Sequence, residues 1–352
     1  MSSIAGEAGP PIARPRSPNQ RAWARFKRNR IGYVSLWIFL AMLLVATVAE
    51  VVSNDRPLLA RYQGEYFLPF LNNPPEIRFG GDFGTPTDWQ DPFILERFAS
   101  DANFVVFPLN RHGADSLNYF DLTPNPAAPG PLHLLGTDDS GRDLVARLLY
   151  GFRVSVYFGI ALTITGTLLG VLMGAIQGYF GGRIDLTTQR LIEIWNSLPE
   201  LYLLIIFASI FEPSLLLLLV LLSVIGWVGL SDYVRAEFLR NRNLEFVKAA
   251  RALGLSNLQI IRRHVLPNSL TPVITFLPFR MSVAILSLTA LDFLGLGVPA
   301  STPSLGELLR QGKDNLDAWW IAVPTFILLV LTLLLLTFIG DALRDAFDTR
   351  KS

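Results

Sequence analysis

Residues 320–340 read WIAVPTFILLVLTLLLLTFIG, 21 residues without a charge. At the helical rise of about 1.5 Å per residue, such a run spans the roughly 30 Å hydrocarbon core of a bilayer. Five further runs extend the pattern. Residues 31–52 carry one acid, Glu50, near their end, and 154–176 carry no charge. Residues 214–230 are apolar apart from two serines. Residues 184–211 include Arg190, Glu193 and Glu200, and 270–291 include Arg280. Six spans are expected.

Composition agrees. The 352 residues are 51% hydrophobic and 17% charged, against about a quarter charged in soluble domains. Mean hydropathy is +0.39. The net charge of +1 gives no general affinity for polyanions, so no nucleic-acid partner is expected. The absence of Cys excludes disulfides, Cys-ligated metal and thiol catalysis. The first apolar run is too long for the core of a cleaved signal peptide, and no small-residue cleavage pattern closes it.

Loop charge sets the expected orientation. The head carries Arg14, Arg16, Arg21, Arg25, Lys27, Arg28 and Arg30 against Glu7. Short positive segments stay in the cytoplasm. Residues 53–131 hold ten acids, five arginines and no Lys, and read as external. The loop after the fourth run carries Arg235, Arg240, Arg242, Lys248, Arg251, Arg262 and Arg263 and reads as internal. Six crossings from an internal head agree with both. The expectation is an all-α integral membrane protein of six transmembrane helices: one N-terminal anchor plus a five-helix core, with an irregular external insertion between helices 1 and 2. The expected units are a cytoplasmic head (1–30), helix 1 (31–52), an external region with an elbow (53–151), a core (152–341, with an internal loop at 231–269) and a cytoplasmic tail (342–352).

The external region is rich in turn signals: Asn72, Asn73, Pro74 and Pro75, then Gly80 and Gly81, then prolines from 124 to 131. FVVFPL at 104–109 suits a short strand. Either a small irregular cap or a mere tether fits this composition.

Residues 243–268 read NLEFVKAARALGLSNLQIIRRHVLPN. Residues 245–253 are good helix formers. Ala249 and Ala250 are small enough for another protein to approach the backbone. Gly254 can adopt the left-handed conformation that ends a helix. A second helical stretch, 258–265, is expected to be broken by Pro267 before the fifth span. The segment reads either as an interfacial helix with basic flanks on lipid headgroups or as a rigid lever between two spans.

Within the second run, Gly166, Gly170, Gly174 and Gly178 recur every four residues along one slowly drifting helix face. Small-residue faces let helices pack closely in lipid, within this chain or against a second one. In the third run, Glu193, Asn196, Ser197 and Glu200 are expected on one helical face. Acids at depth face water or a partner, so this stripe either lines a path or pairs locally with Arg190 or Arg280. Asp138, Asp139, Arg142, Asp143 and Arg147 precede the second run. Ser140 is expected to cap a short interfacial helix there, with Leu144, Val145, Leu148 and Leu149 toward lipid. Trp319 and Trp320 suit interface anchoring.

Enzyme signatures are missing. Gly312-Lys313 is followed by Asp314 and lacks the upstream glycine of a phosphate loop. His112, His133 and His264 show no metal spacing. No G-x-S-x-G elbow occurs.

The 243–268 segment resembles the coupling motif of ATP-binding-cassette (ABC) importer permeases: an acid, two alanines, Gly four residues on, and Leu-Pro twelve beyond. Ala249, Ala250, Gly254, Leu266 and Pro267 match, while Lys248 stands where that family usually has Glu. WARFKRN at 23–29, GTDDSGRD at 136–143, GYFGGRID at 178–185 and FLGLG at 293–297 are similar to the peptide and nickel branch. So are Arg147, Gly151, Arg153 and Ser155, and Gly340, Asp341, Arg344 and Asp345. Leu288, Asp292 and Thr337 depart from that branch's usual residues. The long external region, NDRPLL at 54–59 and PSLGEL at 303–308 are most similar to permeases of microcin C and oligopeptide uptake.

The resemblance implies a type I ABC importer core in a bacterial inner membrane. Phe246, Lys248, Ala249, Ala250, Leu253, Gly254, Leu266 and Pro267 would couple to the ATPase. It implies a non-catalytic subunit with no cofactor of its own, ATP and Mg being bound by partner subunits. The implied partners are a second permease, two ATP-binding cassette domains, a periplasmic substrate-binding protein, a peptide substrate and membrane lipid.

Overall fold

The computed structural model describes residues 18–99, 103–117, 123–299 and 301–348. Glu7, Arg14 and Arg16 of the head, and residues 349–352 of the tail, lie outside them.

The chain begins with α1 (Pro18–Arg28) and α2 (Arg30–Thr47). Asn29 breaks them apart: its side chain caps α2 by accepting from Gly32 N at 3.2 Å. Phe26 of the WARFKRN segment is buried against Ala342 and Ala346. A short α3 (Ala49–Val52) leads into an insertion containing β1 (Leu59–Tyr62), β2 (Glu65–Phe67), α4 (Pro92–Arg97) and β3 (Phe104–Val106). The strands form an antiparallel sheet in the order β2-β1-β3, with Ala60 opposite both Phe67 and Val105. Its core is aromatic: Phe79, Trp89 and Phe98 are buried with Ala60 and Ile94, and the Phe79 and Trp89 rings meet edge to face at 5.2 Å. Asn73, from the expected turn, accepts from Trp89 Nε1 at 2.8 Å. The insertion is thus a small packed cap with a sheet, more ordered than a tether.

The core follows: α5 (Leu144–Phe180), α6 (Gly182–Asn196), α7 (Glu200–Ile210), α8 (Leu215–Gly226), α9 (Val228–Asn241), α10 (Glu245–Ala252), α11 (Asn257–Ile260), α12 (Leu266–Phe293), α13 (Leu305–Asp314) and α14 (Trp319–Phe347). Residues 30–47, 144–180, 257–293 and 319–347 are long and apolar enough to cross a membrane. The pairs α6–α7 and α8–α9 bend by 69° and 41°, and each pair taken as one span brings the total to six.

Three local expectations change. The interfacial elbow does not form a separate helix. Asp143, not Ser140, is the cap, accepting from Ala146 N at 2.9 Å, and α5 runs unbroken into the second span. Leu144 and Leu148 consequently point into the main core with Phe152, Leu305 and Ile321 rather than toward lipid. Second, the third run is not one straight helix. Ser197 ends α6 and Pro199 precedes α7, because a proline ring cannot follow the turn before it. Third, Pro267 does not break the chain. A π turn at Ile261–Val265, with Leu266 N–H reaching Ile261 O, leads straight into α12. The wider turn relieves the clash of a proline ring with the carbonyl four residues back.

The close of α12 explains the FLGLG and PSLGEL segments. Gly295 ends the helix at φ +73°. Asp292 accepts from Val298 N at 2.9 Å and from the Ser304 hydroxyl, which in turn caps α13. Leu305 and Leu308 of α13 then fill the main core.

Candidate functional site

The short helix α10 is anchored on one side and bare on the other. Val247 and Ala250, three residues apart, share the buried face. They pack in a cluster with Phe238 of α9, Ile260 of α11, Val265 and Val273. Phe246 is 42% exposed and Leu253 80%. Ala249 is exposed, and Lys248 pairs outward with Glu245 at 2.8 Å. Adjacent alanines on a helix diverge by about 100°, so of the two small residues only Ala249 offers its surface outward. Ala250, expected as a contact residue, is turned inward. Leu266 packs on the same inner cluster, and Pro267 is exposed at the start of α12.

Gly254 closes α10 at φ +82°. Leu255 N reaches Ala250 O at 3.2 Å and Gly254 N reaches Arg251 O at 3.0 Å. This double closure satisfies the last helical carbonyls and turns the chain sharply. Ser256 and Gln259 then form a reciprocal capping box that starts α11. Tyr179 of α5 donates to Asn257 at 2.9 Å, and Arg242 reaches the Tyr179 carbonyl at 3.1 Å. Packed side chains and short polar links therefore connect α10 and α11 to α5 and α12.

The glycine face of α5 is occupied by the chain's own helices. A Cβ at Gly170 would stand 3.0 Å from Leu230 Cβ, one at Gly174 2.5 Å from Ser231 O, and one at Gly178 2.5 Å from Phe238 Cβ. Gly166 instead faces Arg280. Polar links reinforce the packing of α5: Gln177 donates to Ser231 Oγ of α9 at 3.1 Å, and Thr165 meets Ser223 of α8 at 2.6 Å. Arg235 of α9 makes a two-pronged ion pair with Asp185 of α6.

Glu193, Asn196, Ser197 and Glu200 do not share a helical face, since the bend separates the first three from Glu200. Glu193 is paired with Arg190 at 2.6 Å on the exposed side of α6. Asn196 and Glu200 border an open cleft beside Asp232. Glu200 also lines a second cavity of about 300 Å³ with Gly166, Gly226 and Arg280. A chain in a bilayer keeps broken helices only where they are covered by protein or border water.

At the other end of α5, the GTDDSGRD segment folds around Asp138. Its fully buried carboxylate accepts from Arg142 Nε at 2.7 Å and from Ser140 N at 3.0 Å. Arg147, also fully buried, joins three segments: it pairs with Asp115 at 2.9 Å and donates to Ala114 O and Ser301 O, both at 3.4 Å. Trp320 Nε1 donates to Thr137 O at 3.3 Å, so this ring belongs to the junction, whereas Trp319 remains exposed.

His112 and His133 meet beside Asp143, which their sequence separation gave no way to anticipate. The rings are 4.4 Å apart, and one ligand-type atom from each of the three residues lies within 4.8 Å of the others. Those atoms are engaged: His133 Nδ1 bonds Asp143 Oδ2 at 2.9 Å, and His112 Nε2 bonds Leu132 O at 3.0 Å. Asp143 Oδ1 accepts from Asn110 at 2.7 Å as well as capping α5. Burial pushes the Asp143 carboxyl up, but the bonds from His133, Ala146 N–H and Asn110 outweigh it and hold the group below its ordinary range. Burial lowers the His112 imidazole despite the nearby Asp143. The cluster reads as a hydrogen-bonded joint between the insertion and α5.

The chain thus combines a short helix with a bare apolar edge and a bundle of spans that encloses a largely apolar cavity holding Glu200 and Arg280. Residues 166–352 match the family of binding-protein-dependent transport system inner membrane components, and residues 17–75 match the N-terminal transmembrane domain of oligopeptide transport permease C. The chain belongs to this family of inner membrane components, and is a multi-pass membrane protein. It is 47% identical over 334 residues to the inner membrane ABC transporter permease protein YejE of Escherichia coli, covering 95% of this chain and 98% of the relative. It is 44% identical to the peptidoglycan transport system permease protein YejE of Agrobacterium fabrum, covering 99% of each. The dipeptide transport system permease protein DppC of Haemophilus influenzae is 36% identical, with 96% of each chain covered.

Proposed function

We propose that this permease serves an ATP-driven importer of peptides, including microcin C-like peptide antibiotics, and forms half of its translocation path. The observation that carries the coupling is α10: Phe246 and Leu253 are bare while Val247 and Ala250 are locked into the chain's own core. Exposed apolar side chains on an otherwise rigid loop suit a groove in another protein. Two partner cassette domains bind ATP with Mg and hydrolyse the ATP, and this chain is non-catalytic. Closure of those domains pushes α10, and the motion passes through Ile260 and Val265 to α12 and through Tyr179 to α5. A second permease completes the path, and a periplasmic binding protein delivers cargo to the insertion.

Charge supports the orientation. The basic residues of α1 and of the 231–269 loop favour a cytoplasmic side for both termini and for α10. The relatives' names speak for peptide cargo, dipeptide and peptidoglycan systems among them.

Deletion of the gene tests the reading. Cells lacking it should lose ATP-dependent uptake of labelled oligopeptides and gain resistance to microcin C-like antibiotics. Unchanged uptake together with unchanged sensitivity would refute it.

A further inference from the structure

The cavity beside the α6–α7 bend carries charges of both signs that the chain leaves unmatched. Arg280 sits at the middle of α12, and among the described residues no carboxylate stands within ion-pair distance of it. Its one hydrogen bond runs from Nη2 to the Gly226 carbonyl at 3.4 Å, and its Nε has none. Glu200 lines the same cavity and makes no ion pair among the described residues. Thr163, more than nine-tenths buried, adds a hydroxyl without a partner.

The backbone is shaped around the guanidinium. A Cβ at Gly166 would lie 2.8 Å from Arg280 Nη2, so a larger residue there would push the guanidinium tip aside. Gly226 closes α8 at the 41° bend, which frees its carbonyl to accept. An arginine at this depth is costly unless it meets water or an anion. Among the described residues no carboxylate lies within ion-pair distance of the guanidinium, and the cavity leaves space for an anion beside it.

The geometry points to Arg280 as the subsite that receives the terminal carboxylate of a passing peptide, with Glu200 receiving its ammonium or a basic side chain. A volume of about 300 Å³ holds on the order of ten waters, enough for one end of an extended peptide. Glu200 disfavours a multiply charged anion such as phosphate and suits a zwitterion. The inference rests on the importer reading and assigns the cargo chemistry of its path.

The test uses the complete transporter in proteoliposomes, with binding protein pre-loaded with trialanine or with its C-terminal amide. Delivery is followed for a single turnover. Pre-loading separates this step from the binding protein's own selectivity. Arg280→Gln should slow the free acid about tenfold relative to the amide, the worth of one charge-assisted hydrogen bond. Arg280→Lys should restore part of the difference, with ATP hydrolysis retained. If Arg280→Gln does not assemble, Gly166→Ala, which displaces the guanidinium, should narrow the same ratio. Equal slowing of both peptides, or of neither, overturns the subsite and points to an acid of the second permease as the arginine's partner. A wild-type transporter that moves neither peptide would overturn the importer reading itself.

Discussion

A Cβ built on Gly174 of α5 would stand 2.5 Å from the carbonyl oxygen of Ser231 on α9. The obstacle is backbone, so no rotamer change can relieve it. Gly174→Ala should destabilise the protein by about 1–3 kcal/mol, the usual range for overpacking. Gly229→Ala, where nothing lies within 4 Å, is the matched control and should be neutral or mildly stabilising, since Ala favours helix over Gly by about 1 kcal/mol. Apparent melting midpoints in detergent compare the two.

Asp185 and Arg235 join α6 to α9 across a partly buried contact, with side chains 12% and 29% exposed. Asp185→Asn alone should cost about 2 kcal/mol, because it strips a charged group of its hydrogen-bonded partner. The double variant Asp185→Asn with Arg235→Gln should cost less than the sum of the two single changes. A double-mutant cycle on the melting midpoint checks the coupling, and strict additivity would deny it.

Acidification should loosen the insertion from α5. The His112 imidazole titrates below its ordinary 6.5 in the folded chain. Above 6.5 it is neutral in both folded and unfolded states. As pH falls through that value the unfolded chain takes the proton first, so stability declines toward the lower folded pKa. Asp143, held below its ordinary 3.8, adds its own loss only at more acid pH. Melting midpoints at pH 7.5 and 5.5 should therefore differ more for wild type than for His112→Gln. Equal differences would show that His112 is not the group responsible.

Gly254 occupies the left-handed region with open space around it. Gly254→Val should therefore act through backbone conformation alone, costing about 1–2 kcal/mol and loosening the end of α10. The expected outcome is lower peptide uptake per ATP hydrolysed, with the transporter still assembled. An unchanged ratio of uptake to hydrolysis would remove any need for a sharp turn there.

Much of this was legible in the chain. The uncharged runs at 154–176 and 320–340 mark α5 and α14, since an apolar helix has little choice of surroundings. The four-residue glycine spacing identified a close-packing face, but not that α9 fills it, because spacing carries no partner information. The bend at Ser197 and Pro199 was missed because residues 184–211 were read as one run, although Pro199 lies within it. Pro267, by contrast, looked like a breaker and is absorbed by a π turn. The meeting of His112, His133 and Asp143 depends on how the insertion docks, which no local pattern encodes.

If a partner's ATP-driven closure acts on the bare edge of α10, transport must depend on that edge. Phe246→Ser with Leu253→Ser removes that edge and leaves Val247 and Ala250 in place. Peptide uptake into proteoliposomes containing the complete transporter and ATP measures the consequence. Uptake should fall by at least about tenfold, as expected when central apolar anchors of an interface are lost. Uptake at the wild-type rate would contradict it.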